Sequence, residues 1–169
     1  MHDSKLIARV ARATARLAML AALACAPALV FADGHRLGLP PGAGERPYTA
    51  ECGSCHIAYP PQLLSASGWS RVMSGLEKHF GVDASLDAAA GKTISDYLVA
   101  NAGSERRLGA AGLRISETQW FRHEHDEVPA SVWKLPEVKG AANCPACHTG
   151  ADRGNFSEHG VRLPTAARR

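Results

Sequence analysis

The chain has 169 residues, 46% of them hydrophobic and 6% aromatic, which is room for one ordinary domain or two small ones. Its formal net charge is +3, but Lys5, Arg9, Arg12 and Arg16 against a single Asp3 crowd the first 16 residues. Setting these aside leaves 15 basic and 15 acidic side chains, a balance that excludes a nucleic-acid binder relying on a basic excess.

The basic start is followed by an uncharged apolar run from Leu17 to Phe31, ending at Val30-Phe31-Ala32. This is the pattern of a secretory signal peptide over 1–32, cut after Ala32, and it predicts export to the periplasm. A retained anchor is the alternative, but Pro27 interrupts the run, which is short for a bilayer core, and Asp33-Gly34-His35 follows at once. Stable membrane insertion after cleavage is therefore not expected. Cys25 lies within the run, and Ala22-Leu23-Ala24 before it fits a lipid-attachment site poorly.

Next in the chain, Arg46-Pro-Tyr-Thr leads a helix into Cys52-Gly-Ser-Cys55-His56, and a second motif of the same form follows at Cys144-Pro-Ala-Cys147-His148. The two use every cysteine beyond the leader. Four cysteines in an exported chain would ordinarily mean two disulfides, but each pair here is followed directly by histidine. Two vinyl groups on one porphyrin edge each need a thiol, and the iron needs a nitrogen from the same short segment; CxxCH supplies all three on one turn. The expected cofactors are two covalently bound haem c groups, with His56 and His148 as one iron ligand each. A zinc site shared by all four thiolates explains neither histidine nor the wide separation of the pairs.

Candidates for the opposite face of each iron are His35, His79, His123, His125, His159 and Met73. Trp69, Val72, Met73 and Leu76 recur at helical offsets between Ser67 and Phe80, and His79 continues that face, which makes it the first distal candidate. Met73 shares the face and is the runner-up, although a flexible packing side chain is the plainer role for it. Ala88 to Ala102 reads as a helix with Ile94, Tyr97 and Leu98 inward. Ser116-Glu-Thr-Gln119 has the form of a capping box, ahead of a helix that Pro129 ends. Within it Phe121, His125 and Val128 share a stripe, whereas His123 falls among Arg122, Glu124 and Asp126, so His125 is the second distal candidate. His35 lies in a Gly/Pro-rich segment and His159 in a polar tail, both read as surface positions.

The order of motifs divides the chain into a first haem unit, 33–103, and a second, 104–169. The expected fold is mainly α, with few strand signals and two small units packed around the haems. The first is similar to the class I cytochrome c arrangement, with histidine in place of the usual distal methionine. The second reverses the order, since His125 precedes Cys144, and is irregular and helical. Units this small have marginal side-chain cores, so the haems should form much of the interior and the apoprotein should fold poorly.

The whole pattern resembles the periplasmic dihaem cytochromes c. The resemblance rests on Cys52 to His56 followed by Tyr59-Pro-Pro61-Gln-Leu-Leu64, on Trp69 through His79-Phe80-Gly81 to Leu86-Asp87, on Ile94-Ser-Asp-Tyr97-Leu98 and Asn101-Ala102, on Trp120-Phe121 with His125, and on Cys144 through His148 with Gly154-Asn-Phe156. It implies two low-spin haems, each with two axial histidines, and electron exchange with another haem protein or a membrane cytochrome. His79 and His125 occupy the matching distal positions; chain order pairs His79 with the first haem and His125 with the second. Two histidines on an iron leave no open coordination site and favour low potentials, because the thioether is the ligand that raises potential. A small haem enzyme, a peroxidase or oxyanion reductase with one open or opening iron, is the competing class. A haem-based sensor finds no output domain in the chain. A monomer is expected.

Overall fold

The computed structural model describes residues 37–109 and 112–165. The leader, its Ala32 junction, Cys25 and His35 lie outside them.

Helix α1, Glu45–Cys52, starts with Glu45 and Pro47 in its first turn, where a carboxylate meets the positive end of the helix and the missing proline N–H costs nothing. It buries Tyr48. Helix α2, Ala66–Met73, is capped by the Ser65 side chain, which accepts from the Gly68 N–H, and it buries Trp69 and Val72. The Trp69 indole donates to the Pro61 carbonyl at 2.7 Å, so the ring enters the core with its one polar atom satisfied. Helix α3, Ala88–Ala100, is capped by Asp87, whose carboxylate accepts from the Ala89 and Ala90 N–H groups. Its inward face is Ile94, Tyr97 and Leu98, as the spacing anticipates.

These three helices, with Leu64 from the turn before α2, make one hydrophobic cluster of Tyr48, Leu64, Trp69, Val72, Ile94, Tyr97 and Leu98. Burial of each large apolar side chain is worth about 1.5–3 kcal/mol. α3 packs against both α1 and α2. In the helix-on-helix contact with α1, Gly44 sits directly on Tyr97, with no room for a side chain between them.

Beyond α3 the chain doubles back along the first half. The Gly103 N–H donates to the Leu64 carbonyl at 2.9 Å. Helix α4, Glu105–Leu108, buries Leu108, and the Arg107 guanidinium donates to the Gln62 carbonyl at 2.9 Å. Helix α5, Gln119–Glu124, packs on α4. From there to residue 165 the described chain has only single 3₁₀ turns, at Val132–Lys134, Cys144–Ala146, Ala151–Arg153 and Glu158–Gly160. Among the described residues there is no β-strand beyond isolated bridges, and the mainly helical fold holds.

Both motif-bearing halves belong to one packed unit, residues 34–169. Their interiors differ. Among the described residues after α4, the buried apolar side chains are Phe121, Val132, Val138 and Ala151, too few for a side-chain core of their own. No helix among the described residues is long and apolar enough to cross a membrane.

Two local expectations are corrected. The helix expected to run to Phe80 stops at Met73, since Ser74-Gly75 breaks it, and a 3₁₀ turn at Leu76–Lys78 carries the chain to His79. The cap of α5 is Thr118, not Ser116: its side chain accepts from the Phe121 N–H at 3.1 Å and donates to the Ile115 carbonyl at 2.8 Å.

Candidate haem sites

At the first site α1 delivers Cys52 as its last residue. The Gly53 N–H then closes on the Thr49 carbonyl at 3.0 Å, and a Cβ at Gly53 would lie 2.2 Å from that oxygen, so the turn between the cysteines is too tight for a side chain. His56 follows, half-buried, with Nδ1 2.7 Å from the Ile57 carbonyl. An Nδ1–H donated there leaves Nε2 as the bare, ligand-competent nitrogen. His79 reaches the same place through a reversal: the Val82 N–H donates to the His79 carbonyl at 3.1 Å and the Ala84 N–H to Leu76 at 2.9 Å. The reversal forces Phe80 to a φ of 48°, unusual for a bulky side chain. Its ring is held edge-on to His79 at 4.8 Å and lies under the Arg114 guanidinium at 4.3 Å.

The second site is built on loops. The Asn143 side-chain amide donates to the Val138 carbonyl at 2.9 Å, Pro145 is the second residue of the 3₁₀ turn, and the His148 N–H closes on the Cys144 carbonyl at 2.8 Å. His125, the residue after α5, sets Nδ1 2.9 Å from the Phe121 carbonyl and stacks on the Phe121 ring at 4.0 Å, again leaving Nε2 bare. Trp133 lies 5.8 Å from His125 and Phe156 5.6 Å from His148. The His148 Nδ1 is buried without a hydrogen-bond partner in the protein.

The four histidines come together in two pairs. The His56 and His79 ring centres are 6.2 Å apart with planes at 25°, and those of His148 and His125 are 6.1 Å apart at 77°. Two imidazoles on opposite faces of one metal ion, with bonds of about 2 Å and each ring centre about 1 Å further out, have centres about 6 Å apart. Both gaps therefore match the span of a single six-coordinate iron. Burial, reinforced by the facing imidazole, pushes His79 and His148 below the ordinary histidine range, which keeps them neutral as ligation requires. Burial also pushes the Cys52 and Cys144 thiols up to about 11, so both are neutral groups that a thioether replaces without change of charge. No group of three or more His, Cys, Asp or Glu suited to a bare metal ion occurs among the described residues, so the two cysteine pairs do not converge on one zinc centre.

The remaining candidates lie elsewhere. His123 is exposed, 4.0 Å from Asp126, and His159 is exposed. Met73 packs against the helical cluster. Sequence reasoning gave no role to Tyr59 and did not single out Trp133. Tyr59 stacks on His56 at 4.8 Å and 25°. An aromatic residue three places after the motif histidine, fixed by Pro60-Pro61, was the available signal.

A family model described as dihaem cytochrome c matches residues 48–156, nearly two thirds of the chain and both CxxCH segments. The chain belongs to the dihaem cytochrome c family. Among solved structures, a dihaem cytochrome c from Shewanella baltica is 40% identical, with a TM-score of 0.64 over 72% of this chain and 94% of its own. A dihaem cytochrome c from Rhodobacter sphaeroides is 45% identical, with a TM-score of 0.59 over 66% of this chain and 95% of its own. No curated protein matches. As a dihaem cytochrome c the protein carries two covalently bound haem c groups, and the two Cys-x-x-Cys segments, Cys52 with Cys55 and Cys144 with Cys147, are the thiol pairs that would hold them. Bound there, the haems would supply one-electron chemistry at iron, and the chain would supply their attachment and surroundings.

Proposed function

We propose that this dihaem cytochrome c is an exported electron carrier in which each iron is closed by two histidines, His56 with His79 and His148 with His125. The observation that carries the proposal is the pair of imidazole gaps of 6.2 and 6.1 Å. With both axial positions taken by protein, iron offers no site to a substrate, and outer-sphere electron transfer remains. Histidine on both faces favours the ferric state and low potentials. The leader argues for the periplasm, and the family resemblance for transient docking to another haem protein or a membrane cytochrome through a small interface, with the carrier as a monomer.

The test is His125→Met. Replacing imidazole by thioether raises the potential of one haem, on the order of 0.1 V within the roughly 0.8 V that axial ligands command, and leaves the other nearly unchanged. His123→Met leaves both where they were. Unaltered potentials and spectra in His125→Met would remove His125 from the iron. A carbon monoxide shift in the reduced wild-type protein would reveal an open site and favour the small haem enzyme instead.

A further inference from the structure

Tyr59 touches both haem sites. Its ring face lies on His56, with centres 4.8 Å apart and planes at 25°. Its hydroxyl crosses to the other half of the chain and donates to the Ala142 carbonyl at 2.7 Å, two residues before Cys144. The Cys144 sulfur lies 3.8 Å from that same oxygen. The residue itself is clamped: the buried Tyr48 hydroxyl donates to the Tyr59 carbonyl at 2.7 Å, and the Pro60-Pro61 pair behind it is fully buried. A rigid bracket rooted in the α1–α3 core thus ends on the ligand of one site and the attachment loop of the other.

We propose that Tyr59 is a positioning residue shared by the two haem sites: its ring sets the plane of His56, and its hydroxyl, through the Ala142 carbonyl, holds the Cys144–His148 segment in place relative to the first site. The two halves have other ties, including Arg107 to the Gln62 carbonyl and Leu37 to Gly154. Loss of the bracket therefore loosens one loop without unfolding the chain. Ring and hydroxyl act on different sites, so they separate by substitution. Tyr59→Phe keeps the stack and loses the hydrogen bond; Tyr59→Leu loses both.

The experiment uses the oxidised holoprotein. Amide hydrogen exchange at Cys147 and His148, whose N–H groups close the motif turn on Cys144, speeds up about five-fold in both variants, the factor expected for one lost hydrogen bond. The low-spin ferric electron paramagnetic resonance signals stay at their wild-type positions in Tyr59→Phe, and one of them shifts in Tyr59→Leu. Unchanged exchange in Tyr59→Phe overturns the role of the hydroxyl, and unshifted signals in Tyr59→Leu overturn that of the ring. Should Tyr59→Leu fail to fold, Tyr59→Phe alone decides the hydroxyl and Tyr59→Trp, which restores an aromatic face without it, decides the ring by retaining the wild-type signals; a shift of the His56 signal there counts against the proposal. The spectroscopic arm rests on the bis-histidine proposal, whereas the exchange arm does not. A high-spin wild-type spectrum would count against that ligation while leaving the exchange result to judge Tyr59.

Discussion

Gly44→Ala is the sharpest test of how α1 is held in place to present the first haem motif. The added Cβ would lie 2.2 Å from the Tyr97 Cβ and 2.9 Å from the Thr93 carbonyl oxygen. Neither neighbour is the free end of a flexible side chain; both move only with the backbone of α3. Reaching an ordinary carbon–carbon contact of about 3.5–4 Å requires the helices to part by more than about 1 Å. Overpacking of this kind costs about 1–3 kcal/mol, and the upper part of the range applies because rigid atoms collide. Gly44 has φ −88° and ψ −10°, which alanine adopts freely, so the stiffer unfolded chain returns about 0.4–1 kcal/mol. The net loss is about 2 kcal/mol, or roughly 6–8 °C in Tm for a domain of this size. Guanidinium and thermal unfolding of the oxidised holoprotein, followed by circular dichroism, measure it. Gly42→Ala is the matched control, because its Cβ would meet only the Tyr97 ring at 3.7 Å, an ordinary contact, and should stay within about 0.5 kcal/mol of wild type. Equal stabilities for the two variants would refute the close-approach argument.

The second site allows a comparable test. Thr118 is fully buried and its hydroxyl both accepts from Phe121 and donates to Ile115, so Thr118→Ala should cost about 1–2 kcal/mol in the same unfolding assay, while Thr118→Ser should recover most of it. The two imidazole pairs also differ in twist, 25° against 77°. Near-parallel rings split the two iron π-type d orbitals strongly and near-perpendicular rings leave them close in energy. The oxidised protein should therefore give two distinct low-spin paramagnetic resonance signals, one rhombic and one with a large maximum g value; a single signal from two equivalent haems would contradict the ring geometry.

What could be read from the sequence was the chemistry that depends on spacing. CxxCH is a local pattern, and both copies fold as tight local turns. His79 and His125 were singled out as well, but through helices longer than the real ones. His79 stands beyond Ser74-Gly75 and a separate 3₁₀ turn, in a reversal that needs Phe80 at positive φ, and no residue preference announces a phenylalanine there. His125 ends α5 instead of lying within it, yet its stack on Phe121 preserves the expected side of approach. The Thr118 cap was hidden because Ser116, with Gln119 three places on, fits the capping-box pattern, whereas Thr118 has Phe121 at that spacing; the 3₁₀ turn at Ile115–Glu117 takes up Ser116 and moves the cap to Thr118. The Tyr59 bond to Ala142 and the tie from Leu37 to Gly154 are meetings between distant segments, and Trp133 meets His125 across an irregular loop. Periodicity carries no information about such meetings.

That last tie bears on the order in which the molecule can be assembled. Gly154 adopts φ 71°, and the Leu37-Gly38 backbone lies so near that a Cβ at Gly154 would be 2.8 Å from both the Leu37 oxygen and the Gly38 Cα. The segment that begins the described chain is thus latched by a loop made after both CxxCH motifs. Until that loop has been synthesised and has bent into its left-handed turn, the latch stays open. Each CxxCH turn, by contrast, is closed by a hydrogen bond within its own segment, Gly53 to Thr49 and His148 to Cys144, so neither needs the latch for its own geometry.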